Sequence, residues 1–118
     1  MCVLMMTVKN CYNGIGDYEK VSACFHGDDR IKRFLGLFLQ DDNYQKLEKA
    51  LAEDDVDTAF IAAHTLKGVC QNLCLISLLE VDIEVTEALR AKNLKLAKDN
   101  FPKVQEEYKK AFDRISQL

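Results

Sequence analysis

Residues 94–118 read LKLAKDNFPKVQEEYKKAFDRISQL, and their apolar positions repeat at helical spacing. Steps of three and four alternate between these positions, which is the seam pattern of an antiparallel helix bundle. The positions are Leu94, Ala97, Phe101, Val104, Tyr108, Ala111, Ile115 and Leu118. Pro102 lacks a backbone donor, so we expect a kink there. The stretch therefore predicts a long helix that buries one side against other helices.

Upstream of this stretch the sequence predicts further helices. Asp17 is the expected N-cap of a short helix to about Phe25, and residues 1–15 are expected to be irregular. Apolar residues then repeat at helical spacing from Ile31 to Leu51, which favours one continuous helix over 28–53 in spite of the polar residues 40–43. Two more helices are predicted, over 54–73 and 78–91.

The sequence shows no strand-like alternation. We therefore predict an all-α fold, an antiparallel four-helix bundle with a short extra N-terminal helix. At 118 residues the chain has the length of one domain, with the irregular segment 1–15 followed by the bundle over 16–118. A bundle with its own core is expected to be a monomer.

Composition limits the classes of partner. Hydrophobic content of 48% and charged content of 30% are typical of a soluble globular protein. The net charge of −3, without a basic stripe, argues against nucleic acid as the main partner. The apolar start, residues 1–6, is too short for a signal peptide or a membrane span. We expect a cytoplasmic protein without a membrane partner, whose five cysteines are reduced thiols packed as small hydrophobes.

The predicted helix over 54–73 carries the motif that points to chemistry. His64, Lys67 and Gly68 are spaced three and four apart, so they share one face. This face presents a nucleophilic imidazole, a cation beside it, and a position without a side chain where a partner could approach. The grouping suits a histidine that takes up and hands on a phosphoryl group.

A helical wheel separates this face from the apolar arc of the same helix. His64, Lys67, Gly68 and Gln71 fall opposite the arc, together with Phe60 and with Ile61 at the border. The arc comprises Ala59, Ala62, Ala63, Leu66, Val69, Cys70 and Leu73. For Phe60 and Ile61 two interpretations stay open, a contact with a flanking helix or the N-terminal segment, and an apolar rim for partner docking.

Two polar residues interrupt the apolar stripe of the next predicted helix. If the turn is centred near Leu75, Thr86 lies level with His64, and Asp82 lies level with Gly68. One hypothesis is that Thr86 or Asp82 orients the imidazole through its second nitrogen. The alternative is a hydrogen bond to the local helix backbone, or a pair between Asp82 and Lys67.

At these residues the chain resembles the histidine-containing phosphotransfer (HPt) domains of multistep two-component signalling. The family pattern is an alanine and a histidine, two residues, then lysine and glycine, followed by small residues and a leucine-rich helix. Here it reads AHTLKGVCQNLCL over residues 63–75, and a weaker resemblance extends from about Gly16 onward. Cys74 replaces the glycine of many relatives. Thr86 stands where some relatives carry a glutamine or glutamate that holds the histidine.

The resemblance implies a role for each matching residue. His64 would accept the phosphoryl group, through Nε2, from the phosphoaspartate of one receiver domain and present it to another. Lys67 would offset charge on the phosphoryl oxygens, and Gly68 would leave room for the receiver. Gln71 could hydrogen-bond the phosphoryl oxygens or the partner. The expected partners are the receiver domains of a hybrid sensor histidine kinase and of a response regulator.

The sequence lacks a glycine-rich nucleotide loop and the residues that hold ATP and magnesium in kinases. We therefore expect a phosphoryl carrier rather than an enzyme, without a cofactor of its own, any Mg²⁺ belonging to the receiver. The Met start favours a separate shuttle protein. Two rival hypotheses are a helical adaptor without phosphotransfer, and a metal or redox site built from His64, Cys70 and Cys74.

Overall fold

The computed structural model describes residues 6–118, and this part of the chain is helical without strands. The predicted all-α class is confirmed. Numbered in chain order, the helices are α1 (Val8–Cys11), α2 (Tyr18–Phe25), α3 (Asp28–Gln40), α4 (Asn43–Ala52), α5 (Val56–Leu73), α6 (Ile76–Arg90) and α7 (Leu94–Ile115).

Four helical arms form the bundle. The pair α3–α4 makes the first arm, and α5, α6 and α7 make the other three. Helix α5 packs against α4 and α6, α6 packs against α7, and α3 and α4 close the bundle against α7. Short connections make successive helices antiparallel neighbours. Leu47, Leu66, Val85 and Val104 show how each arm contributes to one core, since all four are fully buried or nearly so.

The first arm is broken between α3 and α4, so the predicted continuous helix over 28–53 is wrong. Asp41 adopts an extended conformation, with φ −70° and ψ 131°. Its Oδ1 accepts hydrogen bonds from the backbone N–H of Asn43 at 2.9 Å and from the Asn43 side-chain amide at 2.8 Å. Such side-chain bonds offer the backbone an alternative to the helix. Because the apolar spacing continues on both sides of the break, the sequence pattern does not indicate it.

Most other helix limits follow from their caps. Asp17 caps α2 as predicted, accepting from the N–H of Lys20 at 3.1 Å, and Asp55 caps α5 in the same way through Thr58. Gly27 is the N-cap of α3 and makes no side-chain capping bond. Helix α6 begins two residues earlier than predicted. Helix α7 continues through Pro102 to Ile115, and the kink there stays a prediction.

The N-terminal segment is defined here as residues 6–17. Irregular structure is predicted for residues 1–15, but they include the single helical turn α1. Residues 1–5 lie outside the described residues. Tyr12 and Ile15 are almost completely buried, so the segment belongs to the core. The Tyr12 hydroxyl donates to the carbonyl of Leu73 at 2.7 Å, and the N–H of Asp17 donates to the carbonyl of Cys74 at 3.0 Å. The segment therefore closes the end of the bundle where α5 ends.

Arg114 fixes the same segment from the other side. Its Nε donates to the carbonyl of Cys11 at 2.9 Å, and its Nη2 donates to the carbonyl of Asn10 at 2.6 Å. These charge-assisted bonds tie the last turn of α7 to α1. Within residues 6–118, no helix combines the length and apolarity needed to cross a bilayer.

Candidate functional site

Helix α5 turns one side to the core and the other to solvent. The buried side holds Ala59, Ala62, Ala63, Leu66, Cys70 and Leu73, the arc that the wheel predicts, whereas Val69 is half-buried. Small alanines let α4 and α6 approach α5 closely at its centre. His64 lies on the opposite side, exposed to solvent. The fold therefore holds the imidazole on a rigid, well-packed helix without burying it.

The other motif residues share this side of α5. Gln71 is exposed, and Lys67 and Gly68 are half-buried. Lys67 takes part in none of the ion pairs formed within residues 6–118, so its ammonium group is free for a ligand. A Cβ added at Gly68 would meet nothing within 4 Å. Packing inside this chain thus gives no reason for a glycine at position 68.

A stack of planar groups lies beside the imidazole. The rings of Phe60 and His64 are nearly parallel, at 20°, with centroids 5.7 Å apart. The guanidinium of Arg90 lies over the Phe60 ring, with Cζ 5.1 Å from its centroid. Phe60 therefore contacts a flanking helix, which was one of its two interpretations. Ile61 is 64% exposed next to the stack.

Arg90 was missed by sequence reasoning, although a signal existed. The register that places Thr86 level with His64 also places position 90 level with Phe60. An arginine opposite an aromatic residue is a common stacking pair.

Asp82 and Thr86 lie on α6 beneath this face, and both are fully buried. The Thr86 hydroxyl donates to the backbone carbonyl of Asp82 at 2.8 Å and lies 3.4 Å from its Oδ2. This is the local backbone bond that was the alternative to an orienting role. Within residues 6–118, neither Thr86 nor Asp82 forms a hydrogen bond with the His64 imidazole.

The other oxygen of the Asp82 carboxyl, Oδ1, has no hydrogen-bond partner within residues 6–118. Burial raises the pKa of Asp82 to about 7, and the Thr86 hydroxyl and the charge of Lys67 offset part of that rise. The charge of Lys67 thus favours the ionised form of Asp82, but the two groups form no ion pair within 4 Å among the described residues.

A family comparison extends this geometry. The family model described as Hpt domain matches residues 33–117, which is most of the chain. The chain belongs to the Hpt domain family. Comparison with curated proteins and with solved structures gave no match. Hpt domains are phosphocarrier domains of two-component systems rather than kinases, and they interact with receiver domains.

The family match begins inside α3, so α1 and α2 of this Hpt domain lie outside it. Beside the His64 face, these outer residues help to form an apolar cleft of about 570 Å³ between α2, α3 and the C-terminal half of α5. Phe34 and Leu37 of α3 line it and are 40% and 54% exposed. Gln71 of the His64 face also lines the cleft. The sequence showed the aromatic residues of α3 but not this cleft.

The cysteines of this Hpt domain are free thiols at positions 11, 24, 70 and 74, and Cys2 lies outside the described residues. Three of the four are buried as expected, whereas Cys24 is exposed. Burial raises the pKa of the Cys70 thiol, which keeps it protonated. Cys70 faces the core and His64 faces solvent, so the proposed metal set is not brought together. Residues 6–118 contain no cluster of three metal-ligating side chains.

Proposed function

We propose that this Hpt domain carries a phosphoryl group on His64 between the aspartates of two receiver domains. The observation that carries the proposal is the exposed imidazole at the centre of α5, with a half-buried lysine and an open glycine on the same side. An imidazole on a rigid helix can be approached by a second protein without any rearrangement of the bundle.

The transfer is an in-line displacement at phosphorus. The lone pair of Nε2 of neutral His64 attacks the phosphorus of the receiver's aspartyl phosphate, the N–P bond forms, and the P–O bond to the aspartate breaks. The carboxylate leaves with the electron pair of that bond. In the second half of the relay a receiver carboxylate attacks the phosphohistidine, and the imidazole leaves. Positioning and charge dominate in such reactions.

Each neighbouring residue has a separate part in this proposal. The ammonium group of Lys67 offsets negative charge on the phosphoryl oxygens. Gly68 leaves space for the loops of the receiver, and Gln71 offers a hydrogen bond to the phosphoryl oxygens or to the partner backbone. Ile61 supplies apolar area at the rim. No cofactor is needed in this chain, because Mg²⁺ would be held by the receiver domain. The carrier is proposed to act as a monomer.

The proposed partners are the receiver domain of a hybrid sensor histidine kinase and that of a response regulator. The net charge of −3 and the apolar rim fit a protein partner better than a nucleic acid.

The test is transfer of labelled phosphate from a phosphorylated receiver domain to wild type, His64→Gln and His26→Asn. His26 is the matched control, since it is the other histidine of the chain and is exposed at the end of α2. Asparagine suits its left-handed conformation, with φ 56°.

We expect acid-labile, base-stable label on wild type and on His26→Asn, and none on His64→Gln. Label that survives in His64→Gln would contradict the assignment. A folded wild type that binds receivers, takes no label from several of them, and binds equally well after His64→Ala would instead be an adaptor.

A further inference from the structure

The imidazole of His64 belongs to a three-membered stack that spans two helices. Phe60 and His64 are four residues apart on α5, so their rings lie one turn from each other on the same side. Arg90, in the last turn of α6, covers Phe60. Glu87 in turn holds Arg90, with its Oε2 3.2 Å from the arginine Nε. The order across the surface is therefore Glu87, Arg90, Phe60 and His64.

An exposed imidazole needs something to fix its orientation. Rotation about the terminal bond of histidine is broad and has no sharp staggered minimum. A hydrogen bond to the second ring nitrogen is the usual restraint. Here no hydrogen bond joins the His64 imidazole to another side chain of residues 6–118, since the Thr86 hydroxyl is bonded to the Asp82 carbonyl and the Asp82 carboxyl is buried beneath the helix. The contact that the structure does give the imidazole is the Phe60 ring.

We propose that Phe60 is a positioning residue for His64, and that Arg90 holds Phe60 in place. This inference rests on the proposed function. The near-parallel stack limits rotation of the imidazole, so that one ring nitrogen points to solvent along the line of attack. Arg90 keeps Phe60 from turning away from the imidazole. Arg90 is paired with Glu87 and lies over the Phe60 ring, so we assign it a part in packing rather than contact with the phosphoryl group.

The stack also explains how Phe60 is half-buried although it lies on the solvent side of α5. A large aromatic side chain on the solvent side of a helix gives up part of its burial. Between Arg90 on one side and His64 on the other, it retains contact area.

The experiment uses a small phosphodonor, phosphoramidate, which phosphorylates histidine without a receiver domain and so removes docking from the measurement. The variants are Phe60→Leu, which keeps apolar bulk but loses the ring, and Phe60→Tyr, which keeps the ring. Phe112→Leu is the matched control, because this half-buried phenylalanine lies on α7, where its ring contacts Tyr108.

We expect Phe60→Leu to be phosphorylated roughly tenfold more slowly than wild type, since misorientation of a reacting group by about an ångström costs that much or more. Phe60→Tyr and Phe112→Leu should react at the wild-type rate. In NMR spectra, the imidazole protons of His64 should shift in Phe60→Leu but not in Phe112→Leu, because the stacked ring no longer shields them.

Arg90→Gln is the second variant, at an exposed helix end where loss of the fold is not expected. It should slow phosphorylation less than Phe60→Leu and should shift the same imidazole signals. Phosphorylation of folded Phe60→Leu or of Arg90→Gln at the wild-type rate would overturn the corresponding part of the inference. Failure of wild type to accept phosphate at His64, from phosphoramidate and from receivers alike, would overturn the proposed function itself.

Discussion

Two glycines beside α5, Gly16 at its C-terminal end and Gly68 within the helix, differ in what surrounds them. At Gly16 an added Cβ would lie far inside contact distance of the Cys74 carbonyl oxygen and 2.8 Å from Cδ2 of Tyr12. At Gly68 it would meet nothing within 4 Å. The end of α5 is thus filled by this chain itself, whereas its middle is left open.

This comparison distinguishes residues that the fold requires from residues that we propose to contact a partner. Where α5 ends, the Tyr12 hydroxyl and the N–H of Asp17 satisfy its last carbonyls. Around His64, the fold makes no such demand on the side chains. Residues that packing leaves unexplained are the ones to assign to binding and catalysis.

The largest expected effect is at the filled end of α5. Gly16→Ala should lower the free energy of unfolding by roughly 2–4 kcal/mol, because backbone must move to admit the Cβ. Denaturant titration followed by circular dichroism would measure this. Gly36→Ala in α3 is the matched control, since its Cβ, unlike that at Gly16, would enter open space, and it should not destabilise the protein. Equal stability of Gly16→Ala and wild type would show that the N-terminal segment is loosely held.

The next largest effect on stability is expected at Asp82, which is buried on α6 beneath the His64 face. Its pKa of about 7 lies above that of the unfolded chain, so the folded state holds its proton more tightly. The contribution of Asp82 to folding stability is therefore fully present below about pH 4. It is lost as the pH rises from about 4 to about 7 and does not change above that. The full penalty at high pH is roughly 4 kcal/mol at most.

Asp82→Asn should remove this dependence. Between pH 5 and pH 8 wild type should lose roughly 2–3 kcal/mol more stability than the variant. Denaturant titrations at several pH values would measure the slope. The exposed Asp113, changed to Asn, is the control and should keep the wild-type slope. A slope that is the same in Asp82→Asn and wild type would mean that the buried carboxyl is paired or hydrated in solution.

The smallest effect on stability, and the sharpest on function, belongs to Gly68. Gly68→Ala should raise the free energy of unfolding by about 0.5–1 kcal/mol, because alanine favours the helix over glycine. The same change should slow transfer from a receiver while leaving phosphorylation by phosphoramidate unchanged. Gly36→Ala should show a similar gain in stability with normal transfer from the receiver. If Gly68→Ala transferred normally, the open space there would not be part of the docking surface.

The sequence predicted α5 well because two independent signals agree there. An aspartate cap precedes the helix, and the apolar arc from Ala59 to Leu73 has one period throughout. The exposed position of His64 follows from the same wheel. The resemblance to Hpt domains was found on a short motif within this one helix.

Three features could not be predicted from local pattern. The break at Asp41 depends on a side-chain hydrogen bond that competes with a helix whose apolar period is intact. The burial of Tyr12 depends on the carbonyl of Leu73, far along the chain, so nothing within residues 1–15 indicates it. Likewise, the Arg90–Phe60 contact needs the register of two helices, which spacing alone suggests but does not establish.

The bonds from Arg114 to residues 10 and 11 also have a consequence for the order in which the molecule is completed. The donor and acceptors are 103 and 104 residues apart in sequence. At ribosomal speeds of about 5–20 residues per second, the N-terminal segment waits roughly 5–20 seconds for this partner to be made. The bonds of Asn10 and Cys11, in the first part of the domain to be synthesised, are thus among the last to form.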